Sequence, residues 1–446
     1  MSMILRRALA PLAALAAFAA LALVSPDAAA GSVEVRADVG TPVMLAGRSN
    51  TAVVKVGLRG LDLRGNAERA PVNLAIVLDK SGSMSGEKLR EAKDAALHLV
   101  DRLRPNDLVS IVAYDGRVRV LVPATRVSER ARIAEAILAL DAGGSTALFA
   151  GVSKGIGEVR KFLRSGQVNR VILLSDGKAN VGPASANALG RLGTACAKEQ
   201  ISVTTVGLGL DYNEDLMVQL AMRSDGNHAF AAEASELGSL FASELGDITS
   251  VVAQGALVRI DVAAGARPLR VLGRDATIAG QTVTFTLNQV YGGQEKFILL
   301  ETDVAPSAPG ARQPIATVTT TYLDLVSGRS EHDRRMVAVS FTNSVMEADA
   351  ALNPAVAIAH TEAIANERNR LALDLRDRGE ILQAQELLEG NFNYLNTAAS
   401  RYNAPKLEKQ ATANKSDAKN LDQKNWNKQR KVMRKRQYEL DNQQSF

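Results

Sequence analysis

The chain has 446 residues, of which 46% are hydrophobic and only 4% aromatic, so it is long enough for two or three domains with aliphatic cores. Its single cysteine, Cys196, excludes internal disulfides, zinc ribbons and dithiol redox chemistry, and we expect a small buried side chain there. The formal net charge of +5 comes from one segment, because residues 406–436 hold eleven basic and three acidic side chains while the remainder is slightly acidic.

Residues 1–30 have the features of a signal peptide. Arg6 and Arg7 form a basic start, and an apolar run of about 16 residues follows over residues 9–24, which is short for a membrane span. Residues 28–30 are all alanine and form a small-residue cleavage site. We therefore expect an exported protein that is periplasmic, surface-associated or secreted, and an uncleaved anchor is the alternative.

Residues 31–70 contain two runs in which apolar and polar side chains alternate. The runs cover residues 33–39 and 52–58, and their period of two predicts two β-strands. Two strands are too few to be stable alone, so we expect partner strands from beyond residue 250.

Residues 71–250 alternate short apolar runs with amphipathic helical patterns. This alternation predicts an α/β domain with a doubly wound, mostly parallel, Rossmann-like sheet and helices on both faces. The pair Asp115-Gly116 lies between two apolar runs and predicts a hairpin turn, so residues 117–122 are expected to form an antiparallel edge strand.

Residues 251–345 contain apolar strand patterns separated by Gly, Pro and Asn turns, with no helical period between them. That pattern is typical of an antiparallel β-sandwich. Because the strands in residues 31–70 need partners, we predict that they complete this sandwich. The α/β domain would then be an insertion into it.

The C-terminal part changes from helical to basic. Residues 350–403 predict a helical hairpin, broken at Gly379 and similar to one tetratricopeptide unit, which must dock elsewhere to bury its apolar face. Residues 404–446 predict a marginal helix or a disordered, solvated tail. A weak contact of this tail with an anionic membrane surface is the alternative. Nucleic acid is not expected, because no regular stacking aromatics accompany the charge.

Oxygen-bearing side chains occur in three turns of the predicted α/β domain. Asp79, Ser81 and Ser83 come directly after a continuous apolar run. Asp176 follows a second such run, and Thr146 lies in a glycine-containing loop. Open α/β sheets present their sites at the carboxyl ends of strands. Carboxylate and hydroxyl oxygens suit Mg²⁺, Mn²⁺ or Ca²⁺ better than Zn²⁺, although clusters of Asp, Ser and Gly also occur as plain turns.

The pattern Asp-x-Ser-x-Ser, with a separate Thr and a separate Asp, resembles the metal-ion-dependent adhesion site of von Willebrand factor type A (VWA) domains. The resemblance implies that the hydroxyls of Ser81, Ser83 and Thr146 coordinate Mg²⁺, or Mn²⁺ or Ca²⁺. It implies that Asp79 and Asp176 act largely through bound water, and that an open position takes an Asp or Glu carboxylate from a protein partner. The layout is similar to that of exported bacterial VWA proteins that resemble inter-α-trypsin-inhibitor heavy chains.

The expected function is divalent-cation-dependent protein interaction or adhesion. Met84, Lys178 and Asn180 are predicted at the rim of the site, where they contact a partner or form plain loop surface. No enzyme and no catalytic residue are expected, because nucleophile-elbow and P-loop spacings are missing and the four histidines are scattered. The alternative is an envelope scaffold with a structural metal, whose helical or basic C-terminal end recruits partners.

Overall fold

The computed structural model describes residues 31–62, 69–422 and 424–444. The predicted signal peptide lies outside the described residues. Three strands precede the first internal gap, and they are β1 (Val33–Val39), β2 (Val43–Leu45) and β3 (Asn50–Gly60).

An α/β domain follows, in which strands and helices alternate as the sequence predicts. Its elements in chain order are β4 (Val72–Asp79), α1 (Glu87–Arg102), β5 (Leu108–Tyr114), β6 (Val118–Arg126), α2 (Arg130–Leu138), α3 (Leu148–Arg160), β7 (Val168–Ser175), α4 (Ala186–Lys198), β8 (Ile201–Leu208), α5 (Glu214–Arg223), β9 (His228–Ala231) and α6 (Leu237–Ser250). The strand order is β6-β5-β4-β7-β8-β9. Neighbouring strands are parallel except β5 and β6, which form the predicted antiparallel edge. The prediction of a doubly wound α/β sheet is confirmed.

Helices cover both faces of this sheet, so the central strands are buried along their whole length. Every residue of β4, β7 and β8 is buried, which explains why these strands are continuous apolar runs rather than alternating ones. Helix α3 lies directly against β4 because Gly155 has no side chain. A Cβ at Gly155 would lie 2.4 Å from Cγ2 of Val77. Cys196 lies on the buried face of α4, as expected.

The remaining strands form a β-sandwich. They are β10 (Val251–Val262), β11 (Ala266–Gly273), β12 (Thr277–Ala279), β13 (Thr282–Tyr291), β14 (Glu295–Val304), β15 (Arg312–Asp324) and β16 (Ser330–Thr342). One sheet has the order β1-β3-β14-β11, and the other has the order β12-β13-β10-β15-β16-β2. All neighbouring pairs are antiparallel except the short β2 beside β16.

The α/β domain is inserted between strands of this sandwich. Strand β3 precedes the insertion and β14 follows it, yet they pair directly, with Leu58 opposite Lys296. On the other side of the insertion, α6 ends at Ser250 and β10 begins at Val251 with no loop between them.

Five helices complete the described chain, and they are α7 (Val345–Ala350), α8 (Pro354–Asp377), α9 (Ile381–Tyr402), α10 (Pro405–Lys419) and α11 (Trp426–Asn442). Helices α8 and α9 form the predicted hairpin, and Asn353 caps α8 by accepting N–H bonds from its first turn. None of the helices within the described ranges is long and apolar enough to span a bilayer.

The prediction of a weakly structured, solvated tail is wrong for α10 and α11. Helix α11 packs against α8 and also against α5 and β9 of the α/β domain. Lys431 Nζ lies 2.7 Å from an oxygen of Glu214, and the Tyr438 hydroxyl donates to the carbonyl of Gly226 at 2.5 Å. Basic side chains that suggest a solvated tail in the sequence are thus paired with acids distant in the chain, so α11 docks without a broad apolar face.

Candidate metal centre

Three loops meet at the carboxyl end of the parallel sheet. Strand β4 ends at Asp79, strand β7 ends at Ser175, and these strands are parallel neighbours whose last residues lie side by side. The third loop carries Thr146 and leads into α3. Backbone bonds join the loops, because the N–H of Gly82 donates to the carbonyl of Gly144 at 3.0 Å. The predicted site residues therefore converge from three separate parts of the chain.

The first loop begins with a buried carboxylate held by neutral donors. Asp79 Oδ1 accepts the backbone N–H of Ser81 at 2.9 Å, and Oδ2 accepts the hydroxyl of Ser175 at 2.8 Å. Burial raises the pKa of Asp79 above its ordinary value, bonds from Ser81 and Ser175 oppose that rise, and the charge of Asp176 adds to it. None of the ion pairs found in the described ranges includes Asp79.

The two serines after Asp79 connect the first loop to the second. The hydroxyl oxygens of Ser81 and Ser83 lie 3.1 Å apart within a short 3₁₀ turn. The Ser83 hydroxyl also donates to Oδ1 of Asp176 at 2.7 Å. Asp176 is fully buried, and its second oxygen accepts the ammonium of Lys88 at 2.5 Å. Ser83 thus links the first loop directly to the carboxylate of the second.

The third loop brings a buried threonine to the same place. The backbone N–H of Thr146 donates to Oδ1 of Asn180 at 2.7 Å, which fixes the loop against the chain that follows β7. A Cβ built at Gly177 would lie 3.4 Å from the Thr146 hydroxyl oxygen and 3.5 Å from that of Ser83. Gly177 therefore adds no side chain beside these two hydroxyls.

The donor set is three hydroxyl oxygens and two carboxylates. In the described part of the chain, no three His, Cys, Asp or Glu side chains come together as a metal-binding group, so any cation here relies on the hydroxyls. Neutral and anionic oxygens are the ligands that Mg²⁺ and Ca²⁺ prefer, and they suit Zn²⁺ poorly. The residues present fit a hard divalent cation.

The predicted rim residues differ in position. The prediction for Met84 is wrong, because its side chain is fully buried in the same apolar cluster as Ile76 and Leu89. The 3₁₀ turn directs Met84 beneath the loop, where it fills the space above the sheet. Lys178 and Asn180 are exposed, and Asn180 also holds the backbone of Thr146.

Three further side chains contribute to the site: Asn180 was predicted only at its rim, and Ser175 and Lys88 were missed by sequence reasoning. Ser175 holds Asp79, Asn180 holds Thr146, and Lys88 holds Asp176. A signal existed for Lys88, because it lies in the first turn of the helix that follows the Asp-x-Ser-x-Ser turn. The other two depend on loop geometry that has no sequence period.

The sequence profile described as von Willebrand factor type A domain matches residues 73–243. The chain is 30% identical over 273 residues to the uncharacterized protein sll0103 of Synechocystis, covering 59% of this chain and 64% of that protein. It is 32% identical over 211 residues to the uncharacterized protein YfbK of Escherichia coli, covering 47% of this chain and 36% of that protein. Human inter-alpha-trypsin inhibitor heavy chain H4 is 28% identical over 166 residues, covering 35% of this chain and 18% of that protein. The chain therefore spans less than two thirds of each of these relatives.

Solved structures extend the likeness in fold beyond the α/β domain. The von Willebrand factor type A protein from Catenulispora acidiphila matches with a TM-score of 0.68 at 18% identity, over 85% of this chain and 90% of that chain. The ArnB paralog VWA2 from Sulfolobus acidocaldarius matches with a TM-score of 0.61 at 18% identity, over 92% and 98%. These coverages exceed the α/β domain, so the sandwich and helices share in the likeness. Residues 73–243 of this chain are a VWA domain, carried as an insertion in a β-sandwich.

Proposed function

We propose that the VWA domain binds a divalent cation and, through it, a carboxylate of a protein partner. VWA domains commonly mediate protein–protein interaction, and the cation dependence is the specific part of the proposal. The ligands would be Asp79, Ser81, Ser83, Thr146 and Asp176. Mg²⁺ is the expected ion, with Mn²⁺ or Ca²⁺ as alternatives.

The observation that carries the proposal is the bond from the Ser83 hydroxyl to Asp176 at 2.7 Å, which joins two loops 93 residues apart in the sequence. Beside it, Gly177 adds no side chain near the hydroxyls of Ser83 and Thr146. A bound divalent ion would supply an electrophilic coordination position that accepts an Asp or Glu side chain. Because most of the protein's own ligands are neutral hydroxyls, such an ion keeps much of its charge for the partner.

The location of the partner follows from the proposed export. Residues 1–30 have the composition of a signal peptide, so we propose an interaction in the periplasm, at the cell surface or outside the cell. We propose no catalytic role. The scaffold alternative recruits partners through the helical or the basic C-terminal end. Its support from the basic end is reduced, because Arg430, Lys431, Arg434 and Arg436 are all engaged with acidic side chains.

Cation binding is tested by isothermal titration of the purified chain with MgCl₂ and MnCl₂. We expect one site per chain, and we expect the Ser83→Ala substitution to weaken it by on the order of tenfold or more. Ser85→Ala is the matched control, since Ser85 is an exposed serine of the same loop that donates to the carbonyl of Gly82. Equal affinities for the Ser83 and Ser85 variants would contradict the proposed ligand set.

Partner dependence is tested by capture from envelope extracts with the full chain as bait. The capture is carried out in Mg²⁺ and again in a chelator, with wild type and Asp79→Ala baits compared at equal folded concentration. A partner that binds through the ion is captured by the wild-type bait in Mg²⁺. It is lost in the chelator and with the Asp79→Ala bait. A partner recovered equally in chelator would show that recognition does not pass through a cation.

A further inference from the structure

One basic side chain of the described residues contacts the candidate metal centre. Lys88 lies in the first turn of α1, and its ammonium is 2.5 Å from Oδ2 of the fully buried Asp176. The Lys88 side chain is 31% exposed, so it lies between the buried carboxylate and solvent. Gly209 lies beside it, and a Cβ there would be 3.7 Å from the Lys88 nitrogen. The ammonium is therefore positioned at the edge of the site.

Lys88 differs from the other lysine of the loop. The ammonium of Lys80 is 2.5 Å from Asp115, so its charge is matched by a carboxylate outside the proposed ligand set. Asp79 accepts only neutral donors, from Ser81 and Ser175. Of the described lysines and arginines, Lys88 is the one that forms an ion pair with a proposed ligand.

We propose that Lys88 sets the net charge of the metal centre and thereby its preference for an anionic partner. This inference rests on the proposed function. The two carboxylates and Lys88 together carry one negative charge, so a divalent cation would leave the loaded site with one positive charge. Without Lys88 the same loaded site would be neutral.

Two opposite effects follow from this charge. A fixed ammonium close to the ion repels it, so Lys88 lowers the affinity for the cation alone. The remaining positive charge attracts a carboxylate, so Lys88 raises the affinity of the loaded site for an anionic group. Both effects act over a few ångströms at the edge of a low-dielectric region, where single charges change affinities by on the order of tenfold.

Lys88 also has a role before any cation is present. Asp176 is buried, and removal of its charged partner would leave the Ser83 hydroxyl as its remaining side-chain partner among the described residues. A buried carboxylate without a charged partner is unfavourable. In the presence of a chelator, Lys88→Met should therefore melt at a lower temperature than the wild type.

The test compares three variants with the wild type. Lys88→Met removes the charge with little change in side-chain length, and Lys88→Arg retains it. Lys93→Met is the matched control, because Lys93 is on the same helix and donates to the carbonyl of Leu138 rather than to the site. All four proteins are titrated with MnCl₂ by calorimetry, and folding is checked by circular dichroism.

We expect Lys88→Met to bind Mn²⁺ on the order of tenfold more tightly than the wild type. Lys88→Arg and Lys93→Met should remain within about threefold of the wild type, since each keeps a cation beside Asp176. A purely structural lysine would not produce tighter binding, because its loss would misplace Asp176 and weaken the site. Unchanged or weaker Mn²⁺ binding by Lys88→Met would overturn the inference.

In the second measurement, the Mn²⁺-loaded proteins are titrated with acetate as a carboxylate probe. Acetate binding is monitored through the relaxation of solvent water protons. Acetate should bind several-fold more weakly to Lys88→Met than to Lys93→Met. Equal acetate binding would also overturn the inference while leaving cation binding intact. A wild type that binds no Mn²⁺ would instead remove the proposed function itself, and the inference with it.

Discussion

The docking of α11 on the VWA domain leads to a prediction for Lys431. Its side chain is 2% exposed, and its ammonium lies 2.7 Å from Glu214 and 3.1 Å from the carbonyl of Tyr212. Burial alone would raise the pKa of Glu214, but the bond from Lys431 and the charge of Arg430 outweigh it and hold that pKa below its ordinary value. The carboxylate is therefore ionised and depends on its two basic partners.

We expect Lys431→Met to lower the free energy of unfolding by about 3 kcal/mol. Breaking a buried ion pair from one side costs roughly 3–5 kcal/mol. The lower end applies here because Glu214 keeps its contact with Arg430. The matched control is Lys428→Met on the same helix, where the lysine is exposed and forms none of the ion pairs found in the described ranges. The control should change stability by less than about 0.5 kcal/mol.

The assay uses the single tryptophan of the chain, Trp426, which lies at the start of α11. Its indole N–H donates to Asp377 at 3.1 Å and its ring contacts Arg376, so its fluorescence reports the docking of this helix. Urea unfolding at pH 7 is followed by this fluorescence and by far-ultraviolet circular dichroism. Equal stabilities for Lys431→Met and Lys428→Met would refute the docking of α11 and would support the prediction of a solvated tail.

Two further predictions concern the packing of α3 and a buried lysine of the sandwich. Gly155→Ala should destabilise the protein by about 1–3 kcal/mol, because the added methyl group would clash with Val77. Gly157→Ala, whose Cβ would have no atom within 4 Å, should stabilise the protein by up to about 1 kcal/mol. Chemical denaturation measures both changes, and equal effects of the two substitutions would contradict the close approach of α3 to β4. Burial, and then the charge of Arg274, lower the pKa of Lys296 from 10.5 to about 7. The folded chain then binds fewer protons than the unfolded chain between these values, so stability should rise across that pH window, and Lys296→Met should flatten the rise. A wild-type slope unchanged by the substitution would reject this assignment.

The sequence predicted those parts of the fold that depend on local periodicity. Continuous apolar runs identify β4 and β7 because helices bury both faces of each strand. The closeness of Asp79 and Asp176 also follows from a local rule, since adjacent parallel strands end at one edge, whereas the full ligand set came from the resemblance to VWA domains. These features need no knowledge of distant contacts.

The missed features have no periodic signal in the sequence. From the sequence, Lys431 is expected to be a solvated charge, because its partner Glu214 lies 217 residues away. Met84 was assigned to the rim because it directly follows Ser83 in the loop, whereas the 3₁₀ turn buries its side chain. Neither outcome leaves a period in the sequence, because the first is set by a contact distant in the chain and the second by a single short turn.

The pairing of β3 with β14 has a consequence for the order in which the chain is built. Lys55 and its partner Glu295 are 240 positions apart, and the whole VWA domain is synthesised between them. Domains tend to fold as units while synthesis proceeds, so the VWA domain is expected to be complete before the sandwich can close. During that interval β1 and β3 form at most a two-stranded ribbon, which is marginal in water. A ribosome that stalls within residues 251–294 would leave this ribbon without its third strand and open to aggregation.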